Sequence, residues 1–154
     1  MMKKILVPTD GSEMADKALN LALDLASKYK AEVEILHVIP PVYMPITPYP
    51  VMMGESPVLP PEWLNNYYKE AQVESRKMLT EAMKLAQSKA EDVKLIPKLS
   101  EGRPSDMIVA EAEDEDFDLI VMGSRGLGGI KEYILGSVSN QVVHEAKSPV
   151  LVVK

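Results

Sequence analysis

A cluster of glycines and serines is the part of the sequence best suited to bind an anion. Residues 119–122 form a short apolar run, typical of a strand buried on both faces, and the spacing Gly123-x2-Gly126-x9-Gly136-Ser137 follows it. Glycine permits φ > 0 and lets the backbone approach a ligand closely. Ser137 and Ser139 lie where a helix should begin, and amides at a helix N-terminus bind anions. We therefore predict that this loop binds phosphate.

The elements that must position the loop alternate regularly along the chain. Apolar runs at residues 4–9, 32–39, 92–99, 119–122 and 150–153 predict strands. Helical spacing predicts helices over residues 12–30, 61–89, 102–112 and 137–146. This alternation predicts an α/β fold, a doubly wound parallel sheet with helices on both faces. Ligands bind such sheets at the carboxyl ends of the strands, where the strand order reverses, and residues 8–11 and 123–126 should flank that point.

Glycine spacing alone is weak evidence, and each candidate residue has a purely structural alternative. The loop lacks the Gly-Lys-Ser/Thr of a Walker A motif, and no G-x-G-x-x-G fingerprint follows the first strand. Asp10 could serve only as a turn residue, Ser137 only as a helix N-cap, and Arg125 only as a surface cation. His37, at a strand end, is expected to be packed rather than catalytic.

Composition narrows the function further. The chain has 154 residues, enough for one domain (1–154), with 46% hydrophobic residues and a formal charge of −6. The acidic balance and the absence of a basic cluster argue against nucleic acid as a partner. The absence of cysteine and of a signal-peptide pattern predicts a cytoplasmic protein, and no apolar run is long enough to cross a membrane.

Two segments interrupt the regular pattern. Residues 40–61 hold eight of the chain's twelve prolines together with several methionines, which predicts a long loop. We interpret it as a variable surface excursion, with a lid or a protein-docking segment as the alternative. Residues 111–118 carry six carboxylates without an evident partner, which predicts a solvated helix end.

Several segments together resemble the ATP-binding branch of the universal stress protein family. They are KILVPTDGS near the start, the HV that ends the second strand, DLIVMGSRGLGG, LGSVS and SPVLVV. Together with the order of the strands and helices, they extend the resemblance over nearly the whole chain outside residues 40–61. The resemblance implies a five-stranded parallel sheet of order 3-2-1-4-5, Rossmann-like and similar to the adenine nucleotide alpha hydrolase fold. The glycine motif is the one that distinguishes nucleotide-binding members, and it is complete here.

The resemblance also implies a nucleotide-binding role for individual residues. The nucleoside would be contacted by Pro8, Thr9 and Asp10, in the first strand and its loop. Further contacts would come from Val38 at the end of the second strand and from Met122 and Gly123 at the end of the fourth strand. The phosphates would be held by Arg125, Gly126, Gly136, Ser137, Val138 and Ser139. Mg²⁺ (or Mn²⁺) would be bound mainly by phosphate oxygens and water, with Asp10 as the candidate protein ligand.

The function implied is an ATP-dependent, or adenine-nucleotide-dependent, regulatory module in a stress response. The family also implies a homodimer that pairs through the last strand, Val150–Val153. A slow ATPase or phosphotransferase and a nucleotide-free dimeric scaffold are the alternatives. No residue is evidently placed as the base that hydrolysis requires, although Asp10 and Glu132 are candidates.

Overall fold

The structure is a computed structural model that describes residues 1–42, 61–126 and 135–154. Its elements in chain order are β1 (Lys4–Pro8), α1 (Glu13–Tyr29), β2 (Glu32–Ile39), α2 (Pro61–Lys89), β3 (Leu95–Glu101), α3 (Pro104–Asp114), β4 (Leu119–Gly123), α4 (Ser137–Glu145) and β5 (Val150–Val153). Pro61 starts α2, which suits a residue without an N–H donor. The rest of the predicted loop, residues 43–60, lies outside the described residues.

The strands form a parallel sheet in the order β3-β2-β1-β4-β5, which confirms the predicted fold class and strand order. β1 pairs with β2 on one side and with β4 on the other. The chain therefore adds β2 and β3 on one side of β1 and then β4 and β5 on the other side. The strand order reverses between β1 and β4. The carboxyl ends of these strands, at Pro8 and Gly123, flank this reversal point.

Two hydrophobic cores cover the opposite faces of the sheet. Ile5 and Val7 of β1 pack into the core that includes α1 and α2, whereas Leu6 packs into the core that includes α3 and residues of α4. Successive side chains of a strand point to opposite faces, so a strand covered on both sides must be apolar at every position. All three of these side chains are fully buried, as the apolar run predicts.

β3 differs from its predicted bounds. It begins at Leu95 rather than at residue 92, because residues 90–93 form a turn after α2 in which the amide of Val93 donates to the carbonyl of Ala90 at 3.3 Å. Pro97 lies within β3, and β3 is an edge strand, where a residue without an amide donor is tolerated. Within the described ranges, no helix is long and apolar enough to cross a membrane.

Candidate functional site

The two ends of the glycine-rich segment are joined by short hydrogen bonds. The amide of Gly136 donates to the carbonyl of Ser124 at 2.7 Å. The hydroxyl of Ser139 lies 2.8 Å from the same carbonyl oxygen and 3.0 Å from the carbonyl oxygen of Gly136, and its single proton is shared between these two acceptors. Ser139 and Ser124 are buried. The Ser139 side chain therefore fixes the start of α4 against the end of β4, whereas the Ser137 side chain is exposed.

Space, rather than left-handed backbone geometry, explains the glycines of this segment. Gly123, Gly126 and Gly136 do not have positive φ, contrary to the conformational freedom expected of them, and Gly136 has φ −63°. A Cβ at Gly126 would collide with Oδ2 of Asp10, and a Cβ at Gly136 would lie 3.3 Å from the carbonyl oxygen of Ser124. Side chains here would fill the space between the loop after β1 and the start of α4.

The loop after β1 is held by hydrogen bonds to its own backbone. Oδ1 of Asp10 accepts from the amide of Ser12 at 3.0 Å, and Ser12 in turn caps α1 by accepting from the amide of Ala15. The left-handed φ of 77° at Gly11 makes this sharp turn possible. Asp10 is thus a turn residue, as the structural alternative proposed, but its other carboxylate oxygen lies beside Gly126.

His37 connects the end of β2 to this loop. Its Nδ1 lies 2.7 Å from the carbonyl oxygen of Thr9, which can only accept, so Nδ1 carries the proton. The amide of Thr9 also donates to the carbonyl of Leu36 at 2.8 Å. His37 is buried, which agrees with the expectation that it is packed. These two bonds fix the backbone that leads into Asp10.

A cavity of about 830 Å³ opens at the carboxyl ends of β1, β2 and β4. Its volume lies within the usual range for small-molecule sites. The structure brings all of the predicted site residues to its lining: Pro8, Thr9, Asp10, Val38, Met122, Gly123, Arg125, Gly126, Gly136, Ser137, Val138 and Ser139. Segments that are far apart in sequence thus meet at the reversal point of the sheet.

Eight further lining residues were not predicted as site residues. They are Ala15, Leu36, His37, Pro40, Met78, Pro104, Ile108 and Leu135. Pro104 had a usable signal, since a helix that starts directly after a strand of a parallel sheet starts at the carboxyl edge. Met78 and Ile108 had no such signal, because in the sequence an apolar residue at helical spacing looks the same whether it faces the core or a ligand.

The charges around the cavity suit an anion on the α4 side. Residues 137–139 begin α4, and their amides have no intrahelical acceptor, because the amide of Asn140 is the first to donate back, to Gly136 at 2.9 Å. The half-buried side chain of Arg125 adds a positive charge. Asp10 adds a negative charge on the β1 side. The site can therefore bind a ligand with an anionic end toward α4 and a polar end toward the loop after β1.

Most of the acidic segment 111–118 is solvated, as predicted, but Glu111 departs from this expectation. Asp114, Glu115 and Asp116 are exposed, but the side chain of Glu111 is only 13% exposed. It faces Glu34 of β2, which is itself buried. Sequence reasoning missed this pair because the two residues are far apart in the chain. The polar Glu34 within an apolar strand was the available signal.

Comparison with known proteins identifies relatives along the whole chain. The model of the Universal stress protein family matches residues 1–154. The universal stress protein MJ0577 from Methanocaldococcus jannaschii is 38% identical over 161 aligned residues, covering 100% of this chain and 96% of the relative. The universal stress protein YxiE from Bacillus subtilis is 34% identical over 154 residues, covering 100% of both chains.

Solved structures give the same result. The structure of MJ0577 matches with a TM-score of 0.70 and 33% identity, covering 100% of this chain and 96% of that one. A universal stress protein in complex with cAMP matches with a TM-score of 0.68 and 25% identity, covering 99% of this chain and 96% of that one.

Proposed function

Because this chain belongs to the universal stress protein family, we propose that it binds an adenine nucleotide, ATP in the first instance, and acts as a nucleotide-dependent regulatory module in a stress response. The observation that carries the proposal is the cavity at the reversal point of the sheet. There the start of α4 and the glycine segment lie opposite the loop after β1. The complex of a similar protein with cAMP supports an adenine nucleotide as the ligand class.

In this proposal the phosphates lie on the α4 side. The amides of residues 137–139, which have no intrahelical acceptor, and the charge of Arg125 favour an anion there. Gly126 and Gly136 leave the required space, since a Cβ at either position would meet neighbouring atoms and fill it. The exposed hydroxyl of Ser137 has no hydrogen-bond partner among the described residues, whereas the hydroxyl of Ser139 bonds the carbonyls of Ser124 and Gly136.

The nucleoside would occupy the opposite part of the cavity. The backbone of Val38 offers an amide and a carbonyl to the edge of the base, and Pro8 and Met122 offer apolar contact. Asp10 and Thr9 would lie beside the ribose. Phosphate oxygens and water would hold Mg²⁺, because this ion keeps several waters and needs few protein ligands, and Asp10 is the candidate carboxylate.

The test of this proposal is the identity and affinity of the bound ligand. Mass spectrometry of the supernatant from denatured, freshly purified protein should find an adenine nucleotide. Isothermal titration calorimetry should rank ATP, ADP and cAMP, with GTP as the matched control for base recognition. If no adenine nucleotide binds more tightly than GTP, the proposal is wrong. Release of inorganic phosphate from ATP, measured in parallel, would instead support slow hydrolysis.

We further propose that the chain acts as one cytoplasmic domain, residues 1–154, and forms a homodimer through β5. β5 is an edge strand of the described sheet, and its apolar residues are half-buried. The amide of Ile120 in β4 donates to the carbonyl of Pro149, and the amide of Ser124, just after β4, donates to the carbonyl of Val153. Alternate residues of a parallel strand bond to the same neighbour, so the backbone of Val152 faces the open edge.

We expect Val152→Pro to weaken the dimer at least about tenfold, because proline removes an outward amide while leaving the ladder to β4 intact. The dimer dissociation constant should be measured by analytical ultracentrifugation. Val152→Ala is the matched control, since it shortens the same side chain and keeps the amide. A folded Val152→Pro variant that dimerises as tightly as Val152→Ala would rule out this interface.

A further inference from the structure

The buried carboxyl pair Glu34–Glu111 has no part in the proposed phosphate or nucleoside contacts. Glu34 of β2 is 7% exposed, and its Oε1 is buried without a hydrogen-bond partner among the described residues. The side chain points to the sheet face covered by α3, since Leu36 and Val38, at alternate positions of β2, pack in the core with Ile108. Glu111 faces this side chain, and two carboxyl groups that face each other away from water resist ionising together, because like charges repel.

The charged neighbours of this pair come from three elements. Nζ of Lys98 in β3 lies 3.2 Å from Oε1 of Glu111. Glu115, just after α3, adds a further negative charge near Glu34. Nζ of Lys4 in β1 lies 3.5 Å from Oε2 of Glu115. Burial, followed by the charge of Glu111 and the hydrogen bond to it, raises the pKa of Glu34 from 4.5 to about 7, while Lys98 opposes the rise.

The pair lies between α3 and β2, and the same two elements form one wall of the cavity. Glu111 lies one turn after Ile108 on α3, and Ile108 and Pro104 line the cavity. On β2, Leu36 and Val38 follow Glu34 on the same face, and both also line the cavity. A change in how α3 packs on β2 must therefore change the shape of the nucleotide site.

We propose that the shared proton of Glu34 and Glu111 regulates nucleotide binding by holding α3 against β2. This inference rests on the proposed function. With the proton present, Glu34 is neutral and Lys98 balances Glu111. Once the proton is lost, two adjacent carboxylates face one lysine beneath α3, and their repulsion favours separation of α3 from β2.

The sign of the pH dependence follows from the raised pKa. Between pH 4.5 and about 7 the folded protein keeps a proton that the unfolded chain has released, so the free energy of unfolding falls as the pH rises through this window. The stabilisation is complete below pH 4.5 and is lost as the pH passes about 7. A nucleotide that binds the state in which α3 is packed against β2 then loses affinity at alkaline pH. By linkage, the binding of this nucleotide takes up a proton.

The test compares wild-type protein with Glu34→Gln, which keeps the shape and a hydrogen-bond donor but cannot ionise. We expect the affinity of the wild type for ATP, at fixed Mg²⁺, to fall from pH 6 to pH 8 about fivefold more than that of the variant. The titration of the ATP phosphates cancels in this comparison. Calorimetry in two buffers of different ionisation enthalpy should detect proton uptake in the wild type that Glu34→Gln lacks.

Lys98→Gln provides a second variant at a half-exposed position that tolerates substitution. Loss of this cation should move the fall in affinity to higher pH, because Lys98 holds the pKa of Glu34 down. Equal pH dependence in wild type and Glu34→Gln, or a Lys98→Gln profile moved to lower pH, would overturn the inference.

The failure of the proposed function is distinguishable from the failure of this inference. Urea unfolding of wild type and Glu34→Gln from pH 5 to pH 8 requires no ligand and reports the titration of the pair directly. ATP binding that does not vary between the two proteins, alongside a pH-dependent difference in unfolding, would overturn the regulatory role alone. A lack of ATP binding at any pH would overturn both.

Discussion

Gly126→Val is expected to lower the affinity for ATP by about 100-fold, roughly 2.7 kcal/mol, while leaving the free energy of unfolding nearly unchanged. A Cβ at this position would collide with Oδ2 of Asp10. That oxygen belongs to a side chain rather than to the backbone, and Gly126 is exposed, so a shift of the Asp10 carboxylate lets the fold accommodate valine. The displaced Asp10 and the added methyl groups would then occupy space proposed for the ribose and phosphates.

Isothermal titration calorimetry with ATP measures the affinity, and urea unfolding followed by circular dichroism measures the stability. Gly126→Ala is the graded control, because it introduces the same Cβ without the branched methyl groups and should cause a smaller loss. An unchanged affinity in a folded Gly126→Val variant would show that the glycine segment does not hold the phosphates. A large loss of stability would show that the collision with Asp10 matters to the fold itself.

Gly123→Ala is expected to lower the free energy of unfolding by about 2–3 kcal/mol. A Cβ at Gly123 would lie 2.9 Å from the backbone carbonyl carbon of Met14 and 2.9 Å from its Cβ. These atoms belong to α1, which packs against β4 and cannot yield without moving the helix. Gly123 therefore permits the close approach of α1 to the sheet, in addition to its place at the cavity.

Urea unfolding of Gly123→Ala beside Gly126→Ala isolates this effect, since both variants add one methyl group to a glycine of the same segment. We expect Gly126→Ala to unfold like the wild type and Gly123→Ala to unfold at clearly lower urea concentration. If both variants are equally stable, the contact between α1 and β4 is looser than the structure indicates.

The sequence alone determined the order of the strands and helices along the chain and the class of the fold, a parallel sheet covered by helices. β2 occupies the predicted residues, Glu32–Ile39, and β1 is central, because a parallel strand covered on both faces must be apolar at nearly every position. Pro97 indicated an edge strand for the equally local reason that proline has no amide to donate. The order 3-2-1-4-5 came from the family resemblance rather than from these patterns.

Only the tertiary structure distinguished residues that look alike in sequence. Gly123 and Gly126 belong to one motif, yet the first faces the backbone of α1 and the second faces the carboxylate of Asp10. Glu111 resembles its exposed acidic neighbours until the packing of α3 on β2 brings it to Glu34. Such differences depend on contacts between residues distant in sequence, which local spacing and residue type do not encode. The alternation of strands and helices is encoded locally, and it could therefore be predicted.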